Sequence, residues 1–302
     1  MSIEARLSEI RHILVEKQLS SGGWPALALS SQTALEPTAY SMLALGPGSQ
    51  NEYELARRCL LHCQNPNGSW PAFVGDDEEG SWATALALIA LRNNFEDVPV
   101  RAIGFRWLLW SAGKESNWLW RWKFRTADRH VRFDPNKFGW PWQPDTNSWV
   151  VPTAFAILAL NQLPCACSLE NSELRIRRGT EMLLDRVCPG GGWNAGNGVV
   201  YGVALAPHPD DTAVALLALK NHADESAVIE SLAWLEGNAA TISAPWSLAW
   251  VVLALAAHSR DVGPLLGSLV NLVGRVDIQD TATLAIVALA LDFERSLTLL
   301  GS

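Results

Sequence analysis

Six short segments of the chain are apolar almost all the way round. They are EPTAYSMLAL (36–45), SWATALALIAL (81–91), VPTAFAILAL (151–160), DDTAVALLAL (210–219), PWSLAWVVLAL (245–255) and QDTATLAIVAL (279–289). They align as copies of one element, and an internal repeat governs the expected fold. Between them run amphipathic segments. In IEARLSEIRHILVEKQ (3–18), Ile3, Leu7, Ile10 and Leu14 make one apolar stripe on a charged cylinder, and comparable segments cover 51–64, 98–112, 172–187, 225–236 and 261–273. A helix that is apolar all round must be covered on every side, whereas an amphipathic one needs cover on one face. The pattern therefore predicts an all-α fold over residues 1–302, a single α/α toroid of about six helical hairpins. Apolar helices form its inner ring and amphipathic helices its outer ring. A linear solenoid of the same hairpins is the competing architecture, but its inner helices would keep a polar concave face.

Loop lengths add a direction. Segments leaving the apolar helices are short (46–51, 222–225), whereas those entering them are long (19–35, 65–80, 113–149, 188–209). In an alternating ring all the long loops fall at the end where the inner helices begin. That end is where a site is expected. The chain has 15 tryptophans, and the long loops carry most of them. Gly22-Gly23-Trp24, Gly68-Ser69-Trp70, Gly139-Trp140 and Gly191-Gly192-Trp193 recur after outer helices. Their indoles can pack between hairpins or, in the dense 118–149 loop, form an aromatic wall over a cavity, where ring faces would attract a cation.

The formal charge of −8 disfavours nucleic acid as a partner. The start, MSIEARLSEI, has no basic segment followed by an apolar block, and no stretch is apolar enough to span a bilayer, so a cytoplasmic location is expected. Five cysteines, Cys59, Cys63, Cys165, Cys167 and Cys188, fit reduced thiols better than a disulfide framework.

QLSSGGW (18–24) and QNPNGSW (64–70) resemble the glutamine-tryptophan repeats of squalene-hopene and oxidosqualene cyclases, whose toroids are related to the protein prenyltransferase β subunits. GGWNAGNGVVYGVALAPHPDDTA (191–213) resembles the segment of those cyclases that leads into their catalytic Asp-x-Asp-Asp-Thr-Ala. The resemblance implies a class II terpene cyclase: an aspartic acid in a dry, apolar cavity protonates the terminal alkene of a linear isoprenoid, with no metal and no cofactor. Carried over position by position, Asp210 is the acid. Asp211 and His208 tune it, and His208 replaces the family's leading aspartate. Trp140, Trp142, Trp149, Trp193 and Tyr201 are the expected substrate walls. The expected partner is a linear isoprenoid or similar apolar small molecule, with peripheral membrane contact and a homodimer or partner chain as ways of closing the mouth.

The alternative is a non-catalytic toroid that binds a lipid or a partner protein. Helix capping competes for the carboxylates, since Glu36, Asp210 and Asp280 all stand one or two residues before the Thr-Ala of an inner helix. Asp76-Asp77-Glu78-Glu79 reads as a solvated turn or a metal-diphosphate cluster, and Cys59, His62 and Cys63 as core residues or zinc ligands. A glycan-acting toroid would want paired carboxylates in a polar cavity, and the scarcity of polar groups within the inner helices weighs against it.

Overall fold

The structure, a computed structural model, describes residues 1–76, 79–126, 133–163 and 171–300. Helix α1 (Ile3–Glu16) is followed by α2 (Leu35–Leu45), and α3 (Gln50–His62), which packs on α2, by α4 (Ala83–Ala90). Helix α5 (Val98–Trp110) leads through the extra α6 (Trp118–Thr126) to α7 (Val150–Leu160), and α8 (Ser172–Asp185), which packs on α7, is followed by α9 (Pro209–Ala218). Helix α10 (Ser226–Ala239) pairs with α11 (Pro245–Ala257), α12 (Gly263–Val273) with α13 (Thr281–Leu291), and α14 (Phe293–Leu300) follows.

Helices α2, α4, α7, α9, α11 and α13 pack each on the next, and α13 packs back on α2. That last contact closes the ring and excludes the solenoid. Every residue of α4 is buried, as an all-round apolar sequence requires, whereas α3 buries only Ala56, Cys59 and Leu60. The fold is the expected all-α toroid. Helices α6 and α14 were not anticipated: α6 forms within the long 113–149 loop, where Asn117 accepts a hydrogen bond from the amide of Leu119 at 2.9 Å and serves as its N-cap. Among the described residues no helix is long and apolar enough to cross a membrane.

The recurring Gly-x-Trp segments turn out to be staples. The indole N–H groups of Trp24, Trp70, Trp140 and Trp193 donate to the carbonyls of Leu14, Leu60, Leu108 and Leu183, near the ends of the preceding outer helices, at 2.7, 2.8, 2.7 and 2.7 Å. The backbone amides of the same tryptophans donate to Thr38, Thr84, Thr153 and Thr212, in the first turns of the inner helices, at 2.9, 2.9, 2.9 and 2.8 Å. Each segment therefore ties an outer helix to its inner partner. Gln18 and Gln64 extend the tie to the next hairpin, reaching the carbonyls of Glu52 and Val100. Gly22, Gly68 and Gly191 sit at φ +86°, +93° and +96°, where a Cβ would press into the carbonyls of Leu55, Ile103 and Glu230.

At the mouth the long loops join edge to edge. Ala28 donates to Gln279, Leu35 to Ala72, Trp82 to Trp142 and Val150 to Ala195, each backbone to backbone, at 3.2, 2.9, 3.0 and 3.0 Å. Two small hairpins, β1 (Trp24–Pro25) with β2 (Thr33–Ala34) and β3 (Val199–Val200) with β4 (Val203–Ala204), stiffen this rim.

Candidate active site

The repeat register determines which side chains reach the centre of the ring. Glu36, Trp82, Val151 and Asp210 each stand two residues before the stapled Thr38, Thr84, Thr153 and Thr212, and all four line one cavity of about 410 Å³ at the mouth. Tyr40, Phe155 and Val214, two residues beyond the same threonines, lie one turn deeper, with Trp246 and Trp250 from α11 and Trp142 from the rim. Helices α2 and α9 are three steps apart in either direction round the six-helix ring, so Glu36 and Asp210 are on opposite walls.

Burial, reinforced by the nearby Asp280 carboxylate, pushes the Glu36 carboxyl up from 4.5 to about 7. Asp210 accepts a hydrogen bond from the Trp246 indole at 3.2 Å. Its neighbour Asp211 is held by His208, Nδ1 to Oδ2 at 2.9 Å, with the imidazole largely exposed on the rim. Burial raises the Asp211 carboxyl, and the His208 contact opposes that shift.

The capping alternative is decided carboxylate by carboxylate. Asp280 does cap: it accepts from the amide of Thr283 at 2.8 Å and from that residue's hydroxyl. Neither α2 nor α9 has a side-chain cap hydrogen bond, and the N-cap positions there belong to Ala34 and His208. Asp210 and Glu36 direct their carboxyls into the cavity.

Of the expected site residues, the structure brings together Asp210, Asp211, Trp142 and, through its contact with Asp211, His208. Trp140 and Trp193 are corrected: both are fully buried staples, and Trp140 is further covered by the Arg175 guanidinium 3.6 Å from its ring. Trp149 and Tyr201 are also outside the cavity lining; Trp149 packs beside Gly196, and Tyr201 is exposed at the tip of the β3–β4 hairpin with φ +52°. The expected aromatic wall from the 118–149 loop reduces to Trp142, because Trp118 and Trp122 face solvent on α6. The walls come instead from Trp82, Trp246 and Trp250, which belong to the inner ring itself. Sequence reasoning placed Glu36 among the caps and passed over Tyr40 and Phe155. Counting from the repeated threonine would have found all three.

Cys59, Cys63 and Cys188 are unbridged, and Cys165 and Cys167 lie outside the described residues. Among the described residues no group of three or more His, Cys, Asp or Glu side chains could hold a metal ion; Asp77 and Glu78 lie outside them. Two polar atoms in the cavity's lining residues, Tyr40 Oη and Trp250 Nε1, have no hydrogen-bond partner among the described residues. Apart from Glu36, Asp210 and Asp211 the lining is aromatic and aliphatic, as expected of an apolar, aromatic-lined cavity. The carboxyls sit at the first turns of the inner helices, whose apolar interiors gave no hint of them.

No family model matches the chain, and no curated protein sequence matches it. Solved structures do. An α-amylase from Clostridium perfringens superposes with a TM-score of 0.63 at 8% identity, over 96% of this chain and 97% of that one. An endoglucanase from Klebsiella pneumoniae, a family 8 glycosyl hydrolase, gives 0.57 at 11% identity over 97% and 99%. A type II terpene cyclase from Scytonema reaches only 0.36 at 15% identity over 78% and 79%, too little to carry an argument. The expectation of a terpene cyclase is therefore corrected, since the structures matched over nearly the whole chain are glycosidases. At such identities what this chain has in common with them is the fold, the α/α toroid.

Proposed function

We propose that the protein is a glycoside hydrolase, with Glu36 as general acid and Asp210 as general base. The observation that carries this reading is the pair of carboxyls on opposite walls of one cavity, with Glu36 held protonated up to about pH 7. Hydrolysis of a glycosidic bond needs such a division of labour. Glu36 gives its proton to the bridging oxygen as the bond from that oxygen to the anomeric carbon breaks. Asp210 takes a proton from a water that attacks the same carbon from the other side. The hydrogen bond from Trp246 keeps the Asp210 carboxylate aimed at the cavity. Carboxyls on opposite walls leave space for that water, which favours inversion at the anomeric carbon; inverting enzymes separate the pair by about 6.5–9.5 Å.

The rings of Trp82, Trp142 and Trp246 offer apolar faces for a pyranose. The α- and β-linked glucans processed by an amylase and an endoglucanase are the first substrates to try. The test is release of reducing sugar from α-1,4- and β-1,4-linked oligosaccharides, with Glu36→Gln and Asp210→Asn beside the wild type. The expected result is hydrolysis of one series and a loss of about 10²–10⁴-fold in each variant. No hydrolysis across the panel, or undiminished activity in either variant, would overturn the proposal.

A further inference from the structure

The centre of the ring is plugged. Tyr40 from α2, Phe155 from α7 and Trp250 from α11 come from alternate helices of the inner six, and their ring centroids lie 6.3, 5.8 and 5.7 Å apart, pair by pair. Those are contact distances for aromatic rings. Each side chain is about 1% exposed. The cavity is therefore a pit with an aromatic floor. Tyr40 follows Glu36 by four residues of one helix, so the floor lies about one turn, roughly 5–6 Å, below the carboxyls. The volume of about 410 Å³ is near the lower limit of ligand pockets, about 300–1,000 Å³.

Resting on the hydrolase reading, we infer that the pit admits the end of a glycan and that the enzyme removes one terminal sugar at a time. A pit one turn deep takes a single pyranose below the carboxyls. The bond joining that ring to the rest of the chain then lies between Glu36 and Asp210, and the remainder of the glycan leaves through the mouth. A chain running through the ring would need the position held by Tyr40, Phe155 and Trp250. The floor thus limits what enters below the carboxyls to about one ring's length.

Two measurements test this, one of which does not need turnover. In the first, maltopentaose and cellopentaose are digested and the earliest products are separated by chromatography. One monosaccharide with a tetrasaccharide is expected, whereas di- and trisaccharides from the outset would overturn the inference. In the second, quenching of tryptophan fluorescence in Glu36→Gln is titrated with glucose, xylose, mannose and galactose, and with the maltose and cellobiose series up to five units. Affinity is expected to level off by the disaccharide, within about threefold. A rise of tenfold or more towards the pentasaccharide would overturn the pit, and so would failure of every saccharide to bind. Levelling off without any hydrolysis by the wild type would sink the hydrolase reading and leave the pit standing.

Discussion

Asp280 directs its carboxylate at the amide of Thr283, while Glu36 extends into the cavity with no cap to make. In the sequence the two look alike, each an acid just before Thr-Ala. What separates them is whether the carboxylate can reach the third amide of its helix, and that depends on backbone geometry that the residue order does not reveal. The sign of the Glu36 shift has a consequence for stability. Its folded value of about 7 lies above the ordinary 4.5. The native state therefore binds a proton that the unfolded chain has released, and stability should be full below about pH 4.5 and decline as pH rises through about 7. Glu36→Gln should remove that decline. At 1.36 kcal/mol per unit, discounted for the side chain's partial exposure, the variant should exceed the wild type by about 2 kcal/mol at pH 8 in urea denaturation. Catalysis should fall as pH rises through about 7, because an ionised Glu36 cannot act as the acid. Asp280→Asn keeps a competent N-cap while removing the charge that helps hold Glu36 protonated. The alkaline limb of its pH–rate profile should move to lower pH, with little change in stability at pH 4.5.

At the scale of elements, the hydrophobic pattern made the inner and outer helices legible to within a few residues, because burial on all sides or on one face imposes different compositions. The tryptophan loops misled for an equally physical reason. An indole between glycines could line a cavity or clamp two helices, and the clamp's partner, a threonine hydroxyl, lies 13 to 19 residues further along the chain. The sixth repeat provides an internal comparison. Thr281 occupies the staple position of α13, yet the segment before it contains no tryptophan, and its hydroxyl is buried with no partner among the described residues. Thr212→Val should strand the Trp193 amide and cost about 1–3 kcal/mol. Thr281→Val, which removes an unsatisfied hydroxyl, should be neutral or stabilising. Thermal denaturation of the two variants side by side checks the staple directly, and equal losses would contradict it.

For the molecule as a whole, the resemblance to terpenoid cyclases rested on segments that the structure identifies as hardware of the ring. The Gly-x-Trp staple and the Thr-Ala opening of the inner helices hold hairpins together whatever chemistry the ring performs, so they spoke reliably to fold and not to activity. The chemistry we propose would reside in a few positions at the mouth: a carboxyl two residues before the threonine on two opposite helices, and aromatic side chains on those between. Asp210 stood out in the sequence because a second aspartate follows it. Glu36 did not, since only closure of α13 onto α2 puts it opposite Asp210. The claim that these two carboxyls act across the ring is tested most directly by following hydrolysis of an oligosaccharide by proton NMR and recording which anomer of the new reducing end forms first. The account predicts the configuration opposite to that of the bond cleaved. Hydrolysis with retained configuration, or no hydrolysis, would contradict it.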